Sequence, residues 1–476
     1  MPGKGAAYEL AIIGGGPGGY VAAIKAAQLG IKTALIEKDK VGGACLHQGC
    51  IPTKALLHSA DLFRKVLKAR EFGVNADNVG INYPQFHRRK ELVVKRLYQG
   101  VQYLLKKNGI EVFEGEGRLD SFKNVTIKKN GVDIGQITAE NVILATGSTP
   151  FIPPGIHHDG KCVLTSNDIL TLEDIPKSII IAGSGAVGVE FACLFNTLGT
   201  KVSLLELLSD ILPAEDKEIS ATMRKILLKR GVDIFTNTSL EKVEVDNGVR
   251  VEIKRITAPP FPATTEDSEI LNADSLLLAL GRTPCLDSIG IDKSSVNFQG
   301  KYLQVNGAMA TSHQGLFAIG DIAGPPLLAH KASHEGLLAV SHIAGKETTP
   351  IHYQNVPRVT YCFPQVASIG LTQEEAERKG YKTRIGKYPL IANSKAIIDG
   401  EYEDGFVKII TDEKYFEILG VHAIGPSVGE FLWGMSLNAI LEGTALEFAD
   451  AIFPHPTLSE VFLEAARATF DKPIHL

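Results

Sequence analysis

The pattern of apolar and polar positions repeats itself along the chain. Tyr8 to Ile13 is a short apolar run, followed by Gly14-Gly-Gly-Pro-Gly-Gly19 and a small-residue helix pattern from Tyr20 to Leu29. Gly30 ends that helix, and Lys32 to Glu37 predicts a second strand. The same order returns later. Ser178 to Ala182 predicts a strand, Gly183-Ser-Gly-Ala-Val-Gly188 a turn and Val189 to Leu198 a helix; Gly199 stops the helix, and Lys201 to Glu206 is the next strand. In both copies an acidic residue, Glu37 or Glu206, lies 23 positions after the first glycine. Two βαβ units of equal spacing predict two dinucleotide-binding domains in one chain.

The remaining pattern fills in around them. A long helical region runs from Pro52 to about Lys107, then a β-rich piece from Ile110 to Ala145, and Ile152-Pro-Pro-Gly155 reads as a linker. Asn272 to Leu280 is another buried-type strand, ending at Gly281. The stretch from Leu303 to Ala323 leads into a helix from His330 to Ala344. From about Tyr353 the composition shifts, with strands at Phe406 to Ile410 and Glu417 to Ile424 and helices at Gly429 to Glu442 and Leu458 to Thr469. The predicted fold class is α/β: two Rossmann-like dinucleotide-binding domains plus an α+β C-terminal domain. The predicted boundaries are 1–151, 152–282, 283–352 and 353–476.

Charge narrows the function. Forty-nine basic against 54 acidic side chains leave −5, which is no electrostatic footprint for nucleic acid. The run His87-Arg-Arg-Lys90 reads as a solvated helix face. No membrane span is expected: the apolar stretch from Ser178 to Leu198 is broken by Gly183, Gly185 and Gly188 and carries Glu190. Seven residues precede Tyr8, so no signal or transit segment is expected. The expected location is the cytoplasm, or an organelle matrix for a chain from which a transit peptide has been removed.

The glycine turns are suited to a pyrophosphate. Gly14 and Gly183 permit the tight turn, Gly16 and Gly185 lack the Cβ that would block the phosphates, and Gly19 and Gly188 let helix and strand pack closely. The helix N-terminus then faces the anion. Glu37 and Glu206 are placed to accept hydrogen bonds from a ribose hydroxyl. A carboxylate at 206 would repel a 2′-phosphate, which favours NAD over NADP. The alternative is a glycine-rich turn with no ligand; two complete copies, each with its acid, weigh against it.

Of six cysteines, Cys45 and Cys50 alone are close, in Gly42-Gly-Ala-Cys45-Leu-His-Gln-Gly-Cys50-Ile-Pro-Thr-Lys54. Near a distorted helix start, residues five apart approach the Cα separation of a disulfide, and Gly49 supplies the freedom. A thiolate at a helix N-terminus is also stabilised. A redox-active disulfide is the leading reading, with two structural thiols or half of a metal site as alternatives. No second closely spaced cysteine pair exists, so zinc fits poorly and no metal is expected. The other four cysteines stand tens of residues apart and read as buried, inert thiols.

Pro454-His455-Pro-Thr457-Leu-Ser-Glu460 precedes an amphipathic helix. Glu460 has two readings: it completes a capping box with Thr457, or it reaches back to one nitrogen of His455 while the other handles protons. Dithiol chemistry needs such a base, because the thiolate is the nucleophile.

Together these motifs make the chain resemble the pyridine nucleotide-disulfide oxidoreductases over essentially its whole length. The terminal His455-Pro-x3-Glu460 is similar to that of the branch that oxidises dihydrolipoamide with NAD⁺. The resemblance implies an FAD domain (1–151), an NAD domain (152–282), a central domain on the FAD side (283–352) and an interface or dimerisation domain (353–476). It implies tightly bound FAD and an obligate homodimer in which the His455–Glu460 pair serves the other subunit's Cys45–Cys50 disulfide. Cys45 would be the interchange thiol and Cys50 the charge-transfer thiol beside the flavin. Lys54 would lie near flavin N5 and pair with Glu190. Gly117, Thr146, Gly147, Ser148 and Asp321 would approach FAD, and Gly281 the NAD adenosine. A Gly-Asp turn opening a helix is also a simple helix cap, so Asp321 has that second reading. The implied partners are dihydrolipoamide and the lipoyl domain of a 2-oxoacid dehydrogenase complex or the glycine cleavage H protein. Departures from the family pattern are His47-Gln48, Thr53 and Ser184. An NADPH-dependent glutathione reductase-like enzyme should carry Arg beyond the second ribose strand, and Glu206-Leu-Leu-Ser-Asp210 has none.

Overall fold

The computed structural model describes residues 6–256, 268–287, 289–291 and 294–476. The chain divides into two compact units. One comprises 1–56, 84–151 and 281–351, the other 57–83, 152–280 and 352–476.

The first unit is built on a sheet whose order is Glu111–Glu114, Thr33–Glu37, Ala6–Ile13, Val132–Leu144, Asn124–Lys129, Glu116–Ser121. The strands around Ala6–Ile13 run parallel, and the last three form an antiparallel meander. Leu316–Ala318 adds in parallel to the end of Val132–Leu144. Alternation along a strand sends successive side chains to opposite faces. Leu10 and Ile12 therefore pack with Ala22, Ala23 and Ala26 of the helix Pro17–Gln28, while Ala11 and Ile13 pack with Val125 and Ile127. Small residues set the helix spacing on the first face: a Cβ on Gly336, in the helix Ala329–Ile343, would lie 2.7 Å from Gly18 O. Of the basic run on the helix Tyr83–Lys107, only Arg88 and Arg89 are exposed. Lys90 is buried, its Nζ 3.3 Å from His87 Nδ1, and burial lowers the pKa of its ammonium. That half of the expected solvated face is a packed one.

The second unit holds two further sheets of note. A five-stranded parallel sheet has the order Asp233–Phe235, Lys201–Leu205, Ser178–Ala182, Ser275–Leu278, Val163–Thr165. Its inner strands are buried almost end to end, as a parallel sheet covered on both faces requires. The C-terminal sheet is antiparallel, in the order Arg358–Thr360, Gln365–Gly370, Ile418–Gly425, Phe406–Asp412, Thr383–Pro389. The helices Leu432–Ile440 and Glu460–Ala468 are shorter than the patterns predicted. Among the described residues, no helix is long and apolar enough to cross a membrane.

Candidate active site

Each glycine loop is closed by bare backbone contact. Gly14 sits at φ +107°, and a Cβ there would be 2.2 Å from Ala145 O; a Cβ on Gly19 would be 1.8 Å from Gly14 O. The second copy repeats this, with Gly183 at φ +97° against Ala279 O and Gly188 against Gly183 O at 1.9 Å. The middle glycines differ. A Cβ on Gly16 would meet only Gly43 Cα, at 4.0 Å, and one on Gly185 would meet nothing within 4 Å. Both are helix N-caps without a side-chain cap, so donor amides face open space where an anion fits.

The two acids do a job that spacing alone did not disclose. Glu37 Oε2 accepts from Gly15 N at 2.6 Å, and Oε1 from Asp39 N at 2.9 Å. Glu206 Oε2 accepts from Ser184 N at 3.0 Å and Ser184 Oγ at 2.5 Å, and Oε1 from Leu208 N at 2.9 Å. Each carboxylate thus braces the second residue of its own loop. Two oxygens offer about four acceptor sites, which leaves capacity for a hydroxyl. Ser184 adds one side-chain bond that the glycine at 15 lacks.

The cysteine motif is seated on the first loop. Gly42 N donates to Gly15 O at 2.7 Å, and a Cβ on Gly43 would lie 2.7 Å from Gly16 Cα. Cys45 rides on the short helix Gly43–Gln48, Gly49 breaks the run, and Cys50 opens the helix Cys50–Leu67. Pro52 falls in that first turn, where no amide donor is needed. The two cysteines are present as thiols that hydrogen bond to each other. That bond, then burial, raises the pKa of Cys45, and the nearby Lys54 ammonium opposes the rise. Tyr20, which sequence reasoning did not single out, is close enough to Cys45 to feel its charge; burial first, then that charge, raises its pKa. His47 is held by Val41 O at 3.0 Å and stacks edge-on to Tyr98.

Further along the first unit, a polar cluster gathers Thr146, Ser148, Arg282 and Asp321. Thr146 Oγ1 donates to Cys285 O at 2.6 Å, and Ser148 Oγ bonds to Asp321 Oδ2. Arg282 donates to Ser148 Oγ at 2.7 Å and Ser148 O at 2.6 Å, and its Nε stands 4.0 Å from Asp321. Gly147 and Gly281 both take positive φ, and Gly281 O accepts from Phe151 N. Gly117 has a packing reason to be glycine, since a Cβ would press on Ile13 and Ile36. Asp321 lies in the turn Gly320–Ile322. That turn is pinned by a buried pair absent from the sequence expectations. Glu335 accepts from Gly320 N at 2.7 Å, and Lys331 donates to Gly320 O at 3.0 Å and Gly324 O at 2.7 Å. The two charges are 3.2 Å apart, with side chains 1% exposed.

In the second unit, His455 Nδ1 is 2.9 Å from Glu460 Oε1, while Oε2 accepts from Thr457 N at 2.8 Å. Glu460 thus reaches back to both His455 and the Thr457 backbone, but no capping box forms. Thr457 does not cap the helix; its hydroxyl donates to Pro454 O, and the helix starts at Glu460. Glu190 is buried and accepts from Tyr361 N at 2.9 Å. Trp433, Ile440 and Leu441 are exposed, and Ile452 is 99% exposed, on the same C-terminal region.

A duplicated nucleotide loop, with paired thiols mounted on one copy, is the equipment of a dinucleotide-dependent thiol oxidoreductase. Residues 8–336 match the pyridine nucleotide-disulphide oxidoreductase family, and 356–466 match its dimerisation domain. The chain belongs to this family. It is 41% identical over 483 residues to the dihydrolipoyl dehydrogenase of Bacillus subtilis, covering 98% of this chain and 99% of that one. It is 38% identical to dihydrolipoyl dehydrogenase 2, mitochondrial, of Arabidopsis thaliana, covering 98% and 91%. Among solved structures, LpdA from Mycobacterium tuberculosis superposes with TM-score 0.87 at 26% identity, over 97% of this chain and 99% of that one. The HOCl-induced flavoprotein disulfide reductase RclA from Escherichia coli, as its Cu(II) complex, gives 0.83 at 26% identity, over 98% and 99%.

Proposed function

We propose that the chain oxidises dihydrolipoamide to lipoamide with NAD⁺ as final acceptor, using FAD and the Cys45–Cys50 pair. The observation that carries this is the placing of two free thiols, Cys45 on the short helix seated against the first glycine loop and Cys50 at the start of the next helix. The full-length likeness to dihydrolipoyl dehydrogenases supports the substrate.

The residues fit both dinucleotides. Gly14, Gly16, Gly19, Glu37, Lys54, Gly117, Thr146, Gly147, Ser148 and Asp321 would hold FAD, and Gly183, Gly185, Gly188, Glu190, Glu206 and Gly281 would hold NAD. The uncapped helix starts and the open space at Gly16 and Gly185 support this fit. When bound, FAD and NAD supply the acceptor for the electron pair that leaves the dithiol.

The protein's own chemistry is thiol–disulfide exchange. A substrate thiolate attacks Sγ of Cys45 in the Cys45–Cys50 disulfide, and Cys50 leaves as thiolate. The second substrate thiol then attacks the mixed disulfide, which frees Cys45 and lipoamide. His455 takes the thiol proton at Nε2, since its Nδ1 is engaged by Glu460. Glu460 stabilises the resulting imidazolium. The acting His455 belongs to a second copy, with the exposed Trp433, Ile440 and Ile452 covered in a homodimer. The dithiol arrives on the lipoyl domain of a 2-oxoacid dehydrogenase complex or a glycine cleavage H protein, in the cytoplasm or an organelle matrix.

The test is NADH-dependent reduction of lipoamide, compared with glutathione disulfide. Lipoamide turnover that Cys50→Ser abolishes is expected. A preference for glutathione disulfide, or unchanged turnover in Cys50→Ser, would refute the reading.

A further inference from the structure

We propose that Arg358, on the outermost strand of the C-terminal sheet, is a positioning residue for the second glycine loop, and through that loop for the nicotinamide dinucleotide. It rests on the reading of that loop as the NAD site. No sequence motif points to Arg358, and every part of the path described below lies in the second unit.

The path is the short segment 211–216, between the strand Lys201–Leu205 and the helix Lys217–Lys229. At its near end Leu212 N donates to Ser184 O at 2.9 Å. Ser184 is the loop residue whose N and Oγ are held by Glu206. It directly precedes Gly185, the helix N-cap with open space in front of it. The aim of that helix start thus depends on Glu206 from one side and on Leu212 from the other. Leu212 is itself fixed: its side chain is buried, and its carbonyl accepts from Glu215 N at 2.9 Å and from Ser220 Oγ at 3.1 Å. It sits at φ +48°, a left-handed conformation that a leucine keeps only where its surroundings impose it.

At the far end the sheet takes hold. Arg358 opens the edge strand Arg358–Thr360. Its Nη2 donates to Ala214 O at 3.2 Å, and its Nε stands 3.4 Å from Glu215 Oε1. The Glu215 side chain is only 7% exposed, so its charge leans on the guanidinium rather than on water. The next residue, Asp216, caps the helix Lys217–Lys229 and meets Lys408 Nζ at 3.1 Å, on the strand Phe406–Asp412. Two consecutive acids are therefore held by cations from two strands of one sheet.

Arg358 grips the stretch between the helix start and Leu212. Without the guanidinium, Ala214 O loses a donor and Glu215 loses a counter-charge in a place poor in water. The carboxylate gains by turning outward. Glu215 N then draws away from Leu212 O, Leu212 relaxes from its left-handed conformation, and its N–H drifts from Ser184 O. The loop amides are left less well aimed at a pyrophosphate. Dinucleotide binding weakens, while Cys45 and Cys50, in the first unit, keep their setting.

The test follows NADH oxidation by the full-length protein with its flavin, using 2,6-dichlorophenolindophenol as electron acceptor, so that no lipoamide is needed. Arg358→Met keeps a long side chain without donor or charge. Its KM for NADH should rise about three- to tenfold, with kcat and the KM for the dye within about twofold of wild type. Arg358→Lys keeps the charge and a donor for Ala214 O, and should recover part of the rise. An ion pair that served stability alone would lower the melting temperature and leave the KM for NADH unchanged in an assay well below melting. Should Arg358→Met fail to fold, Glu215→Gln carries the same prediction, because it keeps the shape of the side chain and removes the charge that Arg358 meets. An unchanged KM for NADH in the folded variant overturns the proposal, and so does a loss confined to kcat. A wild-type protein that reduces the dye but not lipoamide would sink the substrate reading and leave this test standing.

Discussion

Replacing Lys331 with methionine tests how the Asp321 turn is held. The substitution keeps the length of the side chain but removes a charge 3.2 Å from Glu335, in a place where both side chains are 1% exposed. It also takes a donor from Gly320 O and Gly324 O. Removing one partner of a buried pair leaves the other charge uncompensated, at a cost of about 3–5 kcal/mol. For a unit of this size each kcal/mol moves the midpoint by about 2–4 °C, so the first unit should melt about 6–20 °C lower. Glu335→Gln in the same chain removes the stranded charge and keeps an acceptor for Gly320 N. The double variant should therefore be more stable than Lys331→Met alone. Calorimetry gives the melting, and the flavin-to-protein absorbance ratio reports whether loosening the turn releases FAD. A single variant within about 1 kcal/mol of wild type, or a double variant no better than the single, would refute the reasoning.

Three further outcomes are expected. Glu460→Gln keeps an acceptor for Thr457 N but withdraws the charge from His455 Nδ1; trading a charged for a neutral partner, about 1.4 kcal/mol, should slow lipoamide turnover about tenfold with little change in melting, and an unchanged kcat would count against the acid–base role. Glu206→Arg should weaken NAD⁺ and improve NADP⁺, and it should also destabilise the second loop, because Ser184 N and Oγ lose their acceptor; the ratio of kcat/KM values for the two cofactors checks it, and a constant ratio would dismiss the ribose role. Asp216 caps the helix Lys217–Lys229 and meets Lys408 Nζ at 3.1 Å; burial raises its pKa, but His422 and Lys408 outweigh that and hold the carboxyl below its usual range. A depressed carboxyl stabilises the fold above its unfolded pKa of about 3.9 and loses that contribution as pH falls through the folded value. Asp216→Asn should thus be destabilised near pH 7, with the gap to wild type closing below about pH 4 in acid-unfolding curves; a gap that widens with acid would reverse the sign of the argument.

The fold class was legible because its signals are local. Strand, glycine turn, helix and acidic strand end lie within 30 residues of each other, and their spacing is dictated by βαβ geometry. The cysteine motif and His455-Pro-x3-Glu460 are equally short. What sequence reading could not see were meetings between distant segments. Nothing near Lys331 signals that it would be buried against two carbonyls, and nothing near Arg282 points to Ser148. Arg358 and Ser184 look unrelated until the segment 212–215 is seen to bond to both. Helix ends were also misjudged: the Leu458 to Thr469 pattern begins only at Glu460, because Thr457 and Ser459 spend their hydroxyls on local turns. The acids at 37 and 206 show the intermediate case, visible by spacing yet hiding that they brace their own loops.

The seating of Gly43 on Gly16 sets a limit on redesign. Where two main chains touch with not even a methyl between them, no repacking of side chains can adjust the gap. The distance from the first sulfur to whatever anion sits on the loop is therefore inherited from the backbone as a whole. Evolution or an engineer wishing to retune that distance would have to remake both segments at once, whereas the chemistry around the sulfurs remains open to single changes.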